Sequence, residues 1–177
     1  MENKKLSKAT FAGGCFWCMV DCFYLLEGVI EVKVGYAGGN VQNPSYEQVK
    51  TQHTGHYEVA QVIYDAEITK YEELLDMYWK QVDPTDVEGQ FQDKGKSYRT
   101  AIFYENQEQK QLAEASAFTL GQSGKYSKPI VTKILPLTNF YLAEEYHQDF
   151  STKNTKEYKE DRKKSGRDEF LSEIWKN

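Results

Sequence analysis

Alternating apolar and polar residues predict several β-strands along the chain. Side chains of a strand point to the two faces of a sheet in turn, so that a half-buried strand shows a period of two. This alternation is clear in residues 29–36 (VIEVKVGY) and 58–64 (EVAQVIY). We predict further strands at residues 10–12, 98–104 and 130–135. The intervening stretches have a different period.

Stretches with a helical period lie between the predicted strands. In residues 70–82 the apolar positions recur every three to four residues and share one helix face; they are Leu74, Leu75, Tyr78, Trp79 and Val82. Residues 106–123 show a similar pattern and end at Gly124, a common helix stop. We also predict a helix over residues 16–26 and a helical turn over residues 140–150.

The order of these elements predicts the fold class. It runs strand, helix, strand, strand, helix, strand, helix, strand, and the first six match the β-α-β-β-α-β pattern of a ferredoxin-like fold. We therefore expect an α+β protein, a ferredoxin-like two-layer α/β sandwich whose helices cover one face of a mixed sheet. Residues 1–150 would form this domain, and the charged residues 151–177 a C-terminal extension packed on or near it.

Composition and charge narrow the classes of function. The chain has 177 residues, a hydrophobic fraction of 40% and a formal net charge of −5. No dense basic stripe is interleaved with aromatic residues, so we do not expect nucleic acid as a partner. No apolar run is long enough for a membrane span, and the start (MENKKLSKAT) lacks the apolar core of a secretory signal. We expect a cytoplasmic monomer without a membrane partner.

The three cysteines lie within one short segment, and this points to reactivity rather than to structural disulfides. Cys15, Cys18 and Cys22 cannot staple distant parts of the chain. Cys15 follows two glycines and opens the predicted helix, whose N-terminus favours a thiolate. Phe16 and Trp17 would form an apolar wall beside it. The alternative is that the thiols fill a helix face as small apolar groups, and this alternative suits Cys22 best.

Helical spacing separates the three thiols. Cys15 and Cys18 are three residues apart, which places their Cα atoms at roughly 5 Å, within reach of a disulfide. On a helix Cys22 lies about 10.5 Å from Cys15, which is too far, whereas ~6 Å from Cys18 is just possible. Cys18 is therefore the natural partner of an oxidised Cys15.

Activation of Cys15 requires more than a helix N-terminus. That effect is worth ~0.3–1 kcal/mol, which lowers a thiol pKa by less than about one unit. Glu58 begins an otherwise apolar strand and is the best candidate for a neighbouring acid, because burial raises a carboxyl pKa. The alternative is an exposed glutamate in a salt bridge at the sheet edge. Asp93, Tyr98 and Tyr46 carry no signal of their own.

Seven segments together resemble one family, the peptide methionine sulfoxide reductases of type A. They are GGCFWC at 13–18, GYAGG at 35–39, NPSYEQV at 43–49, TGHYEVAQVIYD at 54–65, YEELLDMYWKQVDPT at 71–85, GQFQDKGKSYRTAIFY at 89–104 and FYLAEEYHQDF at 140–150. The resemblance implies reduction of the S epimer of methionine sulfoxide in oxidised proteins and peptides, through a cysteine sulfenic acid. Free methionine sulfoxide is a further candidate substrate.

The resemblance also implies roles for the residues that would carry the chemistry. Cys15 would attack the sulfoxide sulfur. Glu58 would give a proton to the sulfoxide oxygen, which leaves poorly unless protonated. Tyr46 and Tyr98 would hydrogen-bond that oxygen, and Asp93 would help to orient the polar side of the site.

The implied substrate pocket and the recycling step involve the rest of the first motif. Phe16 and Trp17 would hold the methyl group of the substrate. A second thiol would condense with the sulfenic acid, and an external dithiol, thioredoxin by resemblance, would reduce the disulfide. Many family members carry that second cysteine in a C-terminal tail, whereas no cysteine follows Cys22 here. Our hypothesis is that Cys18 resolves Cys15, with direct reduction by an external monothiol as the alternative.

Two other classes of protein share part of this pattern. A CxxC thiol–disulfide oxidoreductase would use Cys15 and Cys18 without Glu58. A zinc module would combine the cysteines with a histidine, although there is no second CxxC and no H-x-H pair. We expect no bound metal and no cofactor besides the external thiol. The three histidines are expected to be structural; they are His53, His56 and His147.

Overall fold

A computed structural model gives the fold of the protein and describes residues 5–176. In this range the strands are β1 (Leu6–Gly13), β2 (Val29–Ala37), β3 (Tyr57–Asp65), β4 (Gly89–Gln90), β5 (Asp93–Lys94), β6 (Thr100–Tyr104), β7 (Lys133–Pro136) and β8 (Tyr141–Leu142). The α-helices are α1 (Tyr46–Lys50), α2 (Tyr71–Trp79), α3 (Gln107–Gln122), α4 (Phe150–Lys153), α5 (Thr155–Ser165) and α6 (Arg167–Ile174). None of these helices has the length and apolar character needed to cross a membrane.

Six of the strands within residues 5–176 form one sheet, in the order β7-β6-β1-β3-β2-β8. Its central strands, β6-β1-β3-β2, are antiparallel neighbours, and their connectivity is that of a ferredoxin-like fold. Strand β7 pairs in parallel with β6, so that the sheet is mixed. The predicted fold class, an α+β sandwich with a mixed sheet, is confirmed.

Helices α2 and α3 cover one face of the sheet. The alternation of β1 points Phe11 to this face, where it meets the buried residues Leu74, Leu75 and Tyr78 of α2. The Tyr78 hydroxyl donates a hydrogen bond to the carbonyl of Ala12, 2.6 Å away. Smaller side chains line the opposite face beneath the segment that follows β7; they are Ala12, Ala37, Val59 and Ala101. The core therefore anchors the end of β1, immediately before the cysteines.

The single helix predicted over residues 16–26 is wrong. Two short 3-10 helices, Phe16–Met19 and Phe23–Leu25, take its place. The reason lies in the buried side chains of this stretch, which are Cys18, Met19, Val20, Cys22 and Phe23. On a regular α-helix these positions would lie on several sides, whereas an amphipathic helix buries one stripe. Tight turns bring all of them inward.

The helical turn predicted over residues 140–150 is confined to a 3-10 helix, Glu145–His147. Before it, Tyr141–Leu142 pair with the edge of β2 as strand β8. Gln148 continues this edge, because its side-chain amide accepts from the N–H of Val34 at 3.0 Å and donates to the Val34 carbonyl at 2.9 Å. Pairing with the edge uses the backbone groups that a longer helix would need.

The last three α-helices of the described chain pack on the 3-10 helix that carries Cys18. Phe150 of α4 and Tyr158 of α5 are buried and cluster with Cys18, and Arg167 of α6 is only 1% exposed. The division into residues 1–150 and 151–177 stays a prediction, and its outermost residues, 1–4 and 177, lie outside the described range.

Candidate active site

Two glycines allow the chain to turn sharply at the end of β1. Gly14 has a φ of +88°, in the left-handed region that disfavours a side chain. A Cβ atom at Gly14 would lie 2.6 Å from Cβ of Gln90 and 3.1 Å from Nη2 of Arg167, and one at Gly13 would lie 2.6 Å from Sδ of Met19. These neighbours approach the backbone so closely that the turn requires glycine at both positions.

Cys15 caps the 3-10 helix Phe16–Met19, and this helix brings Cys18 back over Cys15. The N–H of Cys18 donates to the carbonyl of Cys15 at 3.1 Å. In a 3-10 helix, residues three apart lie almost directly above one another, and each of the two thiols shifts the pKa of the other. Cys15 is half-buried and Cys18 is buried. The spatial pairing of the first two cysteines thus agrees with the expectation from their spacing.

The local charges act differently on the two thiols. The interaction with the Cys18 thiol, burial and the nearby carboxyls of Glu58 and Asp93 raise the pKa of Cys15. The same interaction with Cys15 lowers the pKa of Cys18 to about 7, against the effect of burial and with a contribution from the guanidinium groups of Arg167 and Arg162. The helix N-terminus alone therefore does not lower the net pKa of Cys15, in line with the expectation that activation requires more. A four-residue 3-10 helix has a small dipole, and two acidic groups oppose it.

Glu58 is a buried acid directly behind the cysteine turn. Strand β3 places it opposite Tyr36 of β2, and its side chain is 1% exposed. Oε1 accepts a hydrogen bond from the N–H of Phe16 at 3.2 Å, and Oε2 has no hydrogen-bond partner within the part of the chain that the structure describes. Burial raises the pKa of Glu58 to about 8. The carboxyl is therefore protonated at neutral pH, and the exposed salt bridge considered as its alternative is wrong.

Tyr46, Tyr98 and Asp93 surround the same acid. Burial and then the charge of Glu58 raise the pKa values of both tyrosines, so that their hydroxyl groups stay protonated. Burial also raises the pKa of Asp93, whose charge acts on Glu58 and Cys15. The structure thus gathers all five residues of the expected catalytic set around one point. The arrangement offers a thiol, a neutral carboxylic acid and two hydroxyl donors.

The two aromatic residues after Cys15 have different surroundings. Phe16 is buried and its ring lies 5.8 Å from that of Tyr36 and 6.3 Å from that of Tyr46, between ring centroids. Trp17 is half-buried and stacks on Phe150 with 3.7 Å between centroids and 6° between planes. Phe16 therefore forms the back of an apolar wall, and Trp17 provides its accessible part.

Sequence reasoning missed the role of His147 and Glu144 in building this site. His147 Nδ1 accepts a hydrogen bond from Nε1 of Trp17 at 3.0 Å, and burial lowers the pKa of the imidazole. Glu144 accepts from the Tyr36 hydroxyl and from the N–H of Tyr46, each at 2.9 Å. Both residues belong to the segment 140–150, whose similarity to the family was the available signal.

The remaining cysteine and another expected structural histidine lie apart from this chemistry. Cys22 is buried in the core and burial raises its pKa to about 12. His56 accepts from the N–H of Gly39 at 3.1 Å and its other nitrogen bonds the carbonyl of Val41 at 2.7 Å. It therefore holds a loop, as expected. Among residues 5–176 no group of three or more His, Cys, Asp or Glu side chains is arranged to hold a metal ion.

Comparisons with known proteins identify relatives over almost the whole chain. The family model described as "Peptide methionine sulfoxide reductase" matches residues 7–177. The peptide methionine sulfoxide reductase MsrA of Halalkalibacterium halodurans is 60% identical over 173 residues, which are 98% of this chain and 98% of that protein.

Solved structures agree with this similarity. The reduced form of Mxr1 from Saccharomyces cerevisiae has a TM-score of 0.79 and 32% identity, covering 88% of each chain. Mxr1 in complex with Trx2 has a TM-score of 0.57 and 26% identity, covering 83% of this chain and 86% of that one. The similarity thus includes one structure bound to another protein.

Proposed function

Because the chain belongs to the peptide methionine sulfoxide reductases of type A, we propose a reaction cycle for its cysteine site. The protein is an oxidoreductase that reduces methionine sulfoxide in peptides to methionine, and it thereby repairs oxidative damage. Membership of this family also decides against the zinc module and the general thiol–disulfide oxidoreductase. The assignment of each residue to a step is our proposal.

In the first step Cys15 reduces the S epimer of the sulfoxide. Its sulfur forms a bond with the substrate sulfur, and the protonated substrate oxygen leaves as water. Water then attacks the sulfur of Cys15, the sulfur–sulfur bond breaks and Cys15 becomes a sulfenic acid. Methionine leaves with its sulfur reduced by two electrons, and Cys15 is oxidised by two. Cys15 is half-buried whereas Cys18 and Cys22 are buried, and this exposure supports the choice of nucleophile.

The central element of this proposal is protonation of the sulfoxide oxygen by Glu58. A buried carboxyl that is still protonated at neutral pH can act as a general acid, and burial raises the pKa of Glu58 to about 8. Its free Oε2 atom is available for the substrate oxygen. Negative charge on Glu58 would oppose ionisation of Cys15. We therefore expect Glu58 to give its proton to the substrate oxygen at the same time as the sulfur of Cys15 attacks.

Four further residues position the substrate. Tyr46 and Tyr98 donate hydrogen bonds to the sulfoxide oxygen, since their raised pKa values keep both hydroxyl groups protonated. Asp93 orients the polar side of the site. Trp17, with Phe16 behind it, holds the methyl group against an apolar surface. No cofactor and no metal ion enter this cycle.

In the second step Cys18 resolves the sulfenic acid. Its thiol condenses with Cys15, a disulfide forms and water leaves. The 3-10 turn that closes from the N–H of Cys18 to the carbonyl of Cys15 and the mutual effect of the two thiols on their pKa values support this pairing, whereas the core position of Cys22 argues against a direct part for that residue. An external monothiol acting on Cys15 is the alternative.

In the third step thioredoxin, a protein dithiol, reduces the disulfide. The complex of the relative Mxr1 with Trx2 supports a reductant of this kind. We place the enzyme in the cytoplasm as a monomer, where a reduced thiol pool is present. Oxidised proteins and peptides are its substrates, with free methionine sulfoxide as a second substrate of the same pocket.

Epimer-resolved reduction of a peptide methionine sulfoxide tests the first step. Wild type should consume the S epimer and leave the R epimer, and Cys15→Ser should consume neither. Glu58→Gln should lose roughly 10²-fold or more of the rate, the usual contribution of general acid catalysis. Glu114→Gln is the matched control, because Glu114 is exposed on α3. Unchanged reduction by Glu58→Gln would remove Glu58 from the mechanism.

A further inference from the structure

Arg162 joins the C-terminal helices to the turn that carries the cysteines. Its Nη1 donates to the carbonyl of Cys18 at 3.3 Å and to the hydroxyl of Tyr158 at 3.3 Å. Its Nε donates to Oδ1 of Asp168 at 2.8 Å, which fixes the guanidinium plane. The side chain of Arg162 is 16% exposed. A partly buried cation is therefore held against the residue proposed to resolve the sulfenic acid.

Arg167 contacts the other end of the same turn. Its Nη2 donates to the carbonyl of Gly13 at 3.1 Å, and its Nη1 donates to the carbonyl of Gln81 and contacts Sδ of Met19 at 4.0 Å. The guanidinium also lies over the ring of Phe91, 4.7 Å from its centroid. Gly14 leaves the room for this side chain, since a Cβ there would lie 3.1 Å from Nη2.

The burial of Arg167 is unusual because no carboxylate of the described residues forms a salt bridge with it. In residues 5–176 no Asp or Glu oxygen lies within salt-bridge distance of its guanidinium, although the side chain is 1% exposed. Burial of a cation without a paired anion destabilises the folded state, and an apolar side chain of similar volume would hold a helix in place without this loss of free energy. Two anions lie within its electrostatic reach, the Asp93 carboxylate and the Cys18 thiolate, since Arg167 lowers the pKa of each; of these, the thiolate belongs to the turn that Arg167 contacts.

The charged and titratable groups facing Cys18 come from several elements. Interaction with Cys15 lowers the pKa of Cys18 and burial raises it; Arg167 and Arg162 lower it further, Asp161 raises it, and the result is about 7. The charge of Cys18 acts in turn on Tyr158 and Glu58; both stay protonated at neutral pH, because burial raises both pKa values.

We propose that Arg162 and Arg167 are positioning residues for the resolving step: they hold Cys18 against Cys15 and place positive charge beside the attacking sulfur. The inference rests on the proposed role of Cys18. In this step the Cys18 thiolate attacks the sulfur of the Cys15 sulfenic acid, the S–S bond forms and the S–OH bond breaks. Hydroxide leaves and takes up the proton that Cys18 gave to solvent. Cys18 is oxidised and Cys15 is reduced.

The test follows both halves of a single turnover without reductant. Enzyme is mixed with stoichiometric peptide methionine S-sulfoxide over a range of pH. Released methionine reports the chemistry of Cys15, and mass spectrometry reports the Cys15–Cys18 disulfide and any sulfenic acid trapped by a diketone. The variants are Arg162→Met, Arg162→Lys and the control Lys164→Met, which removes a charge from an exposed site on α5.

We expect Arg162→Met to form the disulfide about fivefold more slowly at neutral pH, because a rise of about one unit from a pKa of about 7 lowers the thiolate fraction from about one half to about one tenth. The pH midpoint of disulfide formation should move up by about one unit, and trapped sulfenic acid should accumulate. Arg162→Lys should keep the midpoint near that of wild type, since it keeps the charge. Asp161→Asn should move the midpoint down, which gives a second readout should Arg162→Met fail to fold.

The outcomes separate this inference from the function on which it rests. If wild type releases methionine but forms no Cys15–Cys18 disulfide, the role of Cys18 fails and the inference falls with it. If wild type forms the disulfide and the midpoints of Arg162→Met and Asp161→Asn match that of wild type, the arginine role alone is overturned. An equal shift in Lys164→Met would also overturn it, because the effect would then be one of net charge.

Discussion

The carboxyl group of Glu58 accepts a hydrogen bond from the backbone N–H of Phe16, with 3.2 Å between the nitrogen and Oε1. Phe16 directly follows Cys15, so that one bond attaches the acid to the turn that carries the nucleophile. Because Glu58 lies in β3 and the turn follows β1, the sheet itself sets the distance between the acid and the thiol. The acid is thus positioned by the backbone and not by a flexible partner.

The raised pKa of Glu58 predicts how the first step depends on pH. A general acid must be protonated, and burial raises the pKa of this carboxyl to about 8. We expect the single-turnover rate of wild type to fall as pH rises above about 8, and Glu58→Gln to lack this descending limb. Stopped reactions with methionine quantified at each pH provide the measurement. A descending limb that persists in Glu58→Gln would assign it to another group.

The same pKa shift predicts a loss of stability with rising pH. Unfolded chains release the carboxyl proton near the ordinary pKa of 4.5, whereas the folded protein keeps it up to about 8. Between these values the native state binds more protons than the unfolded state, so that the free energy of unfolding decreases as pH rises. Urea unfolding at about pH 5 and about pH 8 should show a drop in wild type that is smaller in Glu58→Gln. Equal drops would contradict the buried acid.

Substitution of Gly14 should reveal how tightly the cysteine turn is packed. In Gly14→Ala the side chain would meet Gln90 and Arg167 at a backbone φ of +88°. Gly124 is the matched control, with a φ of +78° and no atom within 4 Å of its Cβ position. We expect Gly124→Ala to cost about 1 kcal/mol of unfolding free energy from backbone strain alone, and Gly14→Ala about 2–4 kcal/mol. Similar losses in urea unfolding would show that Gly14 has more room than the structure gives it.

The stacked pair of Trp17 and Phe150 predicts an effect on substrate use. Trp17→Ala removes the accessible part of the apolar wall and leaves His147 Nδ1 without its donor. We expect kcat/KM to fall roughly 10–100-fold, which corresponds to ~1.4–2.8 kcal/mol of lost transition-state stabilisation. Trp17→Phe should recover part of this loss through stacking. Steady-state kinetics with thioredoxin as reductant measure both, and an unchanged kcat/KM in Trp17→Ala would exclude the wall as a substrate surface.

The two partner cysteines should respond differently to removal. Cys18→Ala should release one methionine per enzyme and then stop when a dithiol is the only reductant, because no disulfide can form. Cys22→Ala should turn over like wild type, since burial raises the pKa of Cys22 to about 12 and its sulfur lies in the core. Counts of methionine per enzyme over time distinguish the two. Turnover by Cys18→Ala with thioredoxin would assign the resolving step elsewhere.

Local pattern predicted the sheet well because strand pairing follows the period of two. Residues 29–36 and 58–64 correspond to Val29–Ala37 and Tyr57–Asp65. The cysteine turn was harder to predict, because burial on every side replaced a helix by two 3-10 helices. For Glu58, sequence indicated a carboxyl at the start of an apolar strand, and only the fold supplied the N–H that binds it.

Contacts between distant parts of the chain could not be predicted from local pattern. Trp17 and His147 are 130 residues apart, and Gly13 and Arg167 are 154 apart. In the sequence Arg162 and Arg167 belong to a charged stretch that is typical of a solvated surface, and nothing local marks them as buried. The contacts of these two arginines form only because the C-terminal helices fold back over the cysteines.

The unequal exposure of Cys15 and Cys18 has a consequence for regeneration. A disulfide between them would present only the half-buried sulfur of Cys15 to an incoming thiolate, because Phe150 and Tyr158 cover Cys18. The mixed disulfide with the reductant would then form on Cys15, and Cys18 would depart as the leaving group. Arg167 and Arg162 lower the pKa of Cys18, and a thiol of lower pKa departs more readily. The exposure of Cys15 and the positive charge beside Cys18 thus both favour attack of the reductant on Cys15, with Cys18 as the leaving group.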